Sequence, residues 1–328
     1  MQIHEKALYN LLRINKLEDS SVDALPWQVE DYRKLSTDQM FKRLKKLGIS
    51  LTQDSFLTYA KSCDSPEALT EFLWTKDENA QEYDQTYLLL FELWRRLLPE
   101  EQSLSIFCDE LDYRIHLYDK KLLSDDALIQ DILKDLEDIL DRGADEGENP
   151  KKVFNSLAEH CAHDLERFLY DYIAEQIDDG NDMYASELLD GFYEYVPDRR
   201  WFDFLRARLF AATDFEGATT MLRRLIDSAQ EEPDFDLLLE IVSFLVHSTD
   251  PRLFLDSASA AFQLIKTESD FQDLVGLAAE YYRLSDREEE DLFLKKLLGT
   301  RSKNDLSAFL PASDKGMAQF AEFLDQAL

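Results

Sequence analysis

Helix-breaking residues are scarce in this sequence, and that scarcity constrains its fold more than any other feature. The 328 residues include nine glycines and eight prolines, about half the usual usage. Both residue types interrupt helices and build turns. Apolar residues recur three and four positions apart, as in Leu104, Phe107, Leu111 and Ile115, and the N-terminal half shows no period-two alternation typical of strands. We therefore predict an all-α fold with long helices and short connections.

Local signals mark where several helices begin and end. Ser36 and Gln39 have the spacing of a capping box, in which each side chain bonds the backbone of the other residue. Gly48 follows the next apolar face as a stop signal, and Pro66 suits a first helical position. A further helix is expected over Val22–Leu35.

The clearest break in the helical pattern is DRGADEGENPKK, residues 141–152, which contains two glycines, a proline and four acids. This composition predicts an exposed loop or a domain boundary. The predicted organisation is then an N-terminal all-helical domain over residues 1–140, helical repeats over 153–300, and a C-terminal capping helix within 301–328.

The chain is strongly acidic, with 68 acidic and 36 basic residues and a formal charge of −32. The excess is central: the charge is about +2 over residues 1–50, about −29 over 51–250 and about −5 over 251–328. Such a field repels nucleic acid and anionic membranes and attracts basic partners. Solubility alone would also explain it.

Three cysteines, Cys63, Cys108 and Cys161, are an odd number without CxxC spacing. That pattern argues against a disulfide framework and favours a reducing compartment. The first twenty residues lack the continuous apolar region of a signal peptide, and no apolar stretch is long enough to cross a membrane. We expect a cytoplasmic protein.

An internal repeat follows residue 150. Ala174, Ala207, Ser243 and Ala279 are separated by 33, 36 and 36 residues, and an apolar residue follows each of them three positions later. A polar turn comes next in each unit, at Asn181, Asp214, Asp250 and Asp286, and a second apolar helix follows the turn. Two-helix units of this kind bury their apolar faces by stacking, with a small residue allowing close approach and an Asp capping the second helix.

Three segments carry a family resemblance: ATDFEGATTMLRRLIDSAQEEPD, LAAEYYRLSDREEEDLFLKKLL and NDMYASELLDGFYEYVPD. They resemble tetratricopeptide repeats, over about residues 150–300. The family's usual alanine of the second helix is replaced by Phe254 and Glu290, and the small residues of paired helices lie 11 apart where the family shows 12.

The resemblance implies a short α-solenoid with a concave groove, lined by the first helices, that binds peptides or partner helices. The expected groove-lining residues are Tyr170, Asp203, Phe210, Leu239, Val246, Val275 and Tyr282. The chain's own last helix, from Gly316 to Leu328, is an equally good occupant, because the ends of solenoids need covering.

One cluster has residue types that bind metals. His160, His163 and Asp164 would share a face if they lay on one helix, and two imidazoles with a carboxylate could bind zinc or iron. The cluster lacks HExxH order, and we expect polar surface or groove residues there, with no metal or other cofactor. GxSxG motifs, phosphate loops and Cys–His pairs are not recognisable elsewhere.

These observations predict a non-enzymatic scaffold or adaptor that binds another protein or peptide through a helical-repeat groove and acidic faces, and a basic partner is one of the candidates. Two alternatives remain open: an acidic chaperone or charge decoy for a basic, nucleic-acid-binding protein, and a metal-dependent enzyme using His160 and His163. The sequence does not predict the oligomeric state.

Overall fold

The computed structural model describes residues 5–75, 79–101, 103–123, 127–311 and 313–327. Within these ranges the chain forms seventeen α-helices and no strands, and a single isolated bridge pairs Thr267 with Phe309. The predicted all-α class is therefore confirmed. None of the described helices combines the length and apolar character that crossing a membrane requires.

The chain divides into two compact units. Unit 1 comprises Met1–Leu169 and Glu194–Pro197, and unit 2 comprises Tyr170–Tyr193 and Asp198–Leu328. The main division thus falls inside a helix, between Leu169 and Tyr170, and not in residues 141–152.

Unit 1 contains one helix that is buried along half of its length. Residues Thr86 to Trp94 of this helix, α5, are all buried, and α5 packs against α2 and α4. The helices of unit 1 are α1 (Glu5–Glu18), α2 (Thr37–Lys46), α3 (Gln53–Ala60), α4 (Pro66–Leu73), α5 (Ala80–Leu97), α6 (Leu104–Asp119), α7 (Ala127–Asp145), α8 (Pro150–Ala158) and the first part of α9 (Leu165–Asp178).

The predicted start and stop signals at Ser36 and Gly48 are confirmed, but one predicted helix is wrong. Ser36 and Gln39 form both bonds of the capping box, and Gly48 has the positive φ of 90° expected of a stop. The helix expected over Val22–Leu35 is wrong: only Tyr32–Lys34 form a short 3₁₀ turn. Pro26 lies in this segment, and a proline ring is incompatible with a helix interior.

The expected loop over residues 141–152 is largely helical. α7 continues to Asp145 and α8 begins at Pro150, so only four residues connect them. A Cβ at Gly143 would lie 2.7 Å from Cγ1 of Val153. Gly143 is therefore a point of close approach between two packed helices, and its lack of a side chain was misread as a loop signal.

Unit 2 consists of consecutive packed helices. α11 packs on α12, α13 on α14 and α15 on α16, while α13 also contacts α11 and α15, and α12 contacts α14. This arrangement is compatible with a helical repeat. The remaining helices are α10 (Asp182–Phe192), α11 (Arg199–Ala211), α12 (Phe215–Glu231), α13 (Phe235–Leu245), α14 (Pro251–Phe262), α15 (Glu268–Leu284), α16 (Glu288–Arg301) and α17 (Lys315–Ala327).

All four predicted polar turns are present, but only two of their polar side chains cap the helix that follows; Asn181 is an N-cap without a side-chain bond. Asp214 and Asp250 are N-caps whose carboxylates accept bonds from backbone amides of α12 and α14. Asp286 has a φ of +55°, and the N-cap is Arg287, without a side-chain bond. Ser243, expected at a close approach, is exposed, because α13 buries Ile241, Val242 and Leu245 instead.

The last helix packs onto the end of unit 2. Phe320 of α17 is fully buried, with its ring 5.7 Å from that of Phe262 and 5.9 Å from that of Phe271. Beside it, Arg301 pairs with the buried Glu268 and bonds Asp314 at 2.8 Å. Asp314 in turn accepts the amides of Gly316 and Met317, so the same carboxylate anchors the end of α16 and the start of α17.

Candidate functional site

The histidine cluster lies in the connection between α8 and α9, not on a helix. Nδ1 of His160 is 2.9 Å from the carbonyl oxygen of Ser156, and Nδ1 of His163 is 2.9 Å from a carboxylate oxygen of Asp112. Asp164 accepts the amide of Arg167 at the start of α9. His160, His163 and Asp164 thus each bond a different part of the chain and do not converge on one point. Among the residues that the structure describes, no group of three His, Cys, Asp or Glu side chains could hold a metal ion.

His163 instead lines a polar cleft of unit 1. We define this cleft by its central residues, Lys6, Arg33, Asp109, Asp112 and His163. Its volume is about 60 Å³, which is room for a few water molecules and well below the several hundred Å³ of a typical small-molecule site.

The charges of the polar cleft are paired within the chain. The carboxylate of Asp109, 4% exposed, lies 2.9 Å from Nζ of Lys6 and 2.7 Å from the Arg33 guanidinium, and it accepts a bond from Asn10. Burial alone would raise the pKa of Asp109, but the two cations hold it well below its usual range. Removing one member of such a cluster would leave an uncompensated buried charge.

A second histidine, His116, also lines the cleft. Burial first, and then the neighbouring His163 and Arg13, lower the pKa of His116 below its usual value.

The structure separates the seven residues predicted to line a groove. Val246, Val275 and Tyr282 are buried in the core of unit 2, so they do not line an open groove. Tyr282 is covered by the last helix, whose Phe323 ring lies 5.3 Å away. These three positions therefore belong to the packed interior of unit 2.

Two further predicted residues lie apart from the rest. Asp203 accepts a hydrogen bond from the Tyr193 hydroxyl at 2.9 Å, beside Arg206, whose guanidinium stacks 3.8 Å from the Tyr193 ring. Phe210 is exposed and shares that face of α11, one heptad along.

Tyr170 and Leu239 remain at the surface formed by α9, α11 and α13. The Tyr170 ring meets Trp201 edge-on at 5.0 Å, and both aromatic rings and Leu239 are partly buried against the core. Trp201 donates its indole N–H to Asp234, the N-cap of α13. Trp201 thus connects α11 to Tyr170 of α9 and to the N-cap of α13.

An excess of carboxylates lies on this surface. We call it the acidic face and define it by four acids of α9 and α13 around an arginine of α11: Asp171, Asp178, Asp236, Glu240 and Arg208. Asp178 is largely exposed while its partner Arg208 is 13% exposed, and the guanidinium lies 5.9 Å from the Phe204 ring. The Arg208 side chain is thus packed against the helices, and the four neighbouring acids are exposed.

The electrostatic consequence appears at Glu240. Partial burial raises the pKa of Glu240; Arg208 opposes this rise, and Asp171, Asp178 and Asp236 add to it. The same surroundings, burial and then Glu240, raise the pKa of the Tyr170 hydroxyl. Three carboxylates of the acidic face thus act on Glu240, with Arg208 opposing them.

The sequence analysis missed Trp201, Arg208 and Glu240. Trp201, Phe204 and Arg208 follow one another at helical spacing, so a signal for a shared face was present. The chosen register placed Asp203 and Phe210 on that face instead. Comparison with protein-family models, curated proteins and solved structures found no match for this chain.

Proposed function

We propose that the chain is a non-enzymatic scaffold that binds a partner protein carrying a basic segment, through the acidic face of unit 2. The observation that carries the proposal is the excess of carboxylates around Arg208. A basic partner would supply the charge that this face lacks, and the neighbouring Tyr170, Trp201 and Leu239 would give apolar contact beside it.

The proposal includes a short solenoid of tetratricopeptide-like helix pairs as the framework of unit 2. The packed pairs α11–α12, α13–α14 and α15–α16 support it, as does the 36-residue spacing of the caps Asp214 and Asp250. In such a framework the first helices share one surface, which suits an extended or helical ligand. We expect a cytoplasmic location, in keeping with the three free cysteines.

The test compares two variants of equal net charge. The first neutralises the acidic face, with Asp171→Asn, Asp178→Asn, Asp236→Asn and Glu240→Gln. The control neutralises four exposed acids of the second helices α12 and α16, with Glu216→Gln, Asp227→Asn, Glu288→Gln and Glu289→Gln. The probe is an amphipathic lysine–leucine peptide, and its affinity for the wild type and both variants is measured by fluorescence anisotropy.

We expect the acidic-face variant to bind at least about tenfold more weakly, a loss of about 1.4 kcal/mol, and the control variant to change by less than about threefold. Equal weakening in both variants would refute a binding face. It would support the charge-decoy alternative, in which net charge alone attracts the partner. Unchanged affinity in both would refute both electrostatic accounts.

A further inference from the structure

Two buried thiols lie side by side in unit 1. Cys108 of α6 and Cys161 of the α8–α9 connection are both fully buried and free. The Sγ atoms of both residues lie 3.8 Å from the same acceptor, the carbonyl oxygen of Leu157. Two thiols that donate to one oxygen are held next to each other, although 53 residues separate them in the sequence.

We propose that Cys108 and Cys161 are a site of oxidative modification, at which a disulfide forms between α6 and the α8–α9 connection. The oxidant is a hydroperoxide, such as hydrogen peroxide. One thiolate attacks the O–O bond, becomes a sulfenic acid and releases one water after protonation. The second thiol then attacks that sulfur, the S–S bond forms, the S–O bond breaks, and a second water leaves.

The environment makes this reaction depend on local opening. The pKa of the Cys161 thiol is raised well above its usual value, first by a hydrogen bond with Cys108 and then by burial. Only the thiolate is strongly nucleophilic, so the closed structure protects both residues. A hydroperoxide reaches them only when the α8–α9 connection lifts away.

Asp112 holds that connection closed. Its carboxylate accepts the backbone amides of Ala162, at 2.8 Å, and His163, at 3.0 Å, and it also bonds the His163 ring. Asp112 is 3% exposed, so these charge-assisted bonds are sheltered from water. The strength of this attachment sets how often the two thiols become accessible.

The experiment treats the full-length chain with hydrogen peroxide, blocks the remaining thiols with an alkylating agent, and maps the products by mass spectrometry. We expect a Cys108–Cys161 cross-linked peptide and the loss of two hydrogens from the intact mass. Cys63→Ala is the matched control and should leave the cross-link in place. Cys108→Ala and Cys161→Ala should each abolish it.

A second variant tests the opening step. Asp112→Asn keeps the size of the side chain but removes its charge, which should speed cross-linking about tenfold, since charge-assisted bonds are weakened. Separate oxidation of Cys108 and Cys161 in the wild type, without a cross-link, would overturn the proposal. So would wild-type protein in which both remain reduced after Cys63 has been consumed.

Discussion

The polar cleft of unit 1 and the acidic face of unit 2 contain similar residue types but differ in the burial and charge pairing of their carboxylates. In the cleft, the buried carboxylate of Asp109 has two cations and an amide within hydrogen-bonding distance. On the acidic face, four carboxylates surround Arg208, which is itself pressed against the helices. The carboxylate of the cleft is buried and matched by cations, whereas the four acids of the acidic face are exposed and outnumber the neighbouring arginine.

We expect the largest loss of stability when the buried carboxylate of Asp109 is removed. Asp109→Ala removes the buried carboxylate that Lys6 and Arg33 share, although Arg33 keeps its pair with Glu110; breaking a buried ion pair costs about 3–5 kcal/mol. Hydrogen exchange of unit 1 amides, read by mass spectrometry, measures the loss locally. Asp131→Ala, on the exposed side of α7, should change stability by less than about 0.5 kcal/mol. A cost below about 1 kcal/mol for Asp109→Ala would mean that the cleft is more open than the structure shows.

The pH dependence of this effect has a definite sign. The pKa of Asp109 is depressed in the folded state, so its stabilisation is present above the unfolded value of about 3.9 and is lost as the pH falls below it. The difference in urea midpoint between wild type and Asp109→Asn should therefore be largest near neutral pH and shrink below about pH 4. A difference that stays constant down to pH 2 would contradict the assignment.

Neutralising the acidic face should change the stability of unit 2 only slightly, and in the direction opposite to the destabilisation expected for Asp109→Ala. The variant with Asp171→Asn, Asp178→Asn, Asp236→Asn and Glu240→Gln loses mutual repulsion between exposed charges, and it also loses the surface ion pair between Asp178 and Arg208. We expect unit 2 to keep its stability or gain up to about 1 kcal/mol, measured by the same hydrogen-exchange experiment. A loss of more than about 2 kcal/mol would show that these acids hold the fold together.

The smallest effect is expected for Glu240→Gln alone. Because the folded-state pKa of Glu240 is raised, the folded protein holds that proton more tightly, and the wild type gains stability as the pH falls through this pKa. Removing the charge should stabilise unit 2 by no more than about 0.5 kcal/mol at neutral pH, and the gain should vanish below about pH 4. Thermal unfolding at several pH values would detect it, and a gain that grows with acid would contradict it.

Local signals in the sequence predicted much of the fold. The capping box at Ser36 and Gln39 depends on neighbours within one turn, and so do the caps Asp214 and Asp250. The regular spacing of helix pairs after residue 150 placed α9 to α16 correctly. These features follow from periodicity and short-range bonding, which a single sequence displays.

The site could be predicted only in part, because it depends on tertiary contacts. Gly143 resembles a loop residue until Val153 is seen packed against it. In α13 the buried face is shifted by about one residue from the face that the repeat predicts. Ser243 is therefore exposed and Val246 is buried. The adjacency of Cys108 and Cys161 has no sequence signal, since it arises from the packing of α6 beside the α8–α9 connection.

Carboxyl footprinting would show whether a basic peptide binds on the acidic face. Exposed acids are labelled with a carbodiimide and an amine, with and without the lysine–leucine peptide, and the labelled positions are read by mass spectrometry. We predict that the peptide protects Asp171, Asp178, Asp236 and Glu240, while Glu216, Asp227, Glu288 and Glu289 of the second helices label as before. Equal protection of both sets, or protection of the second helices alone, would contradict the account.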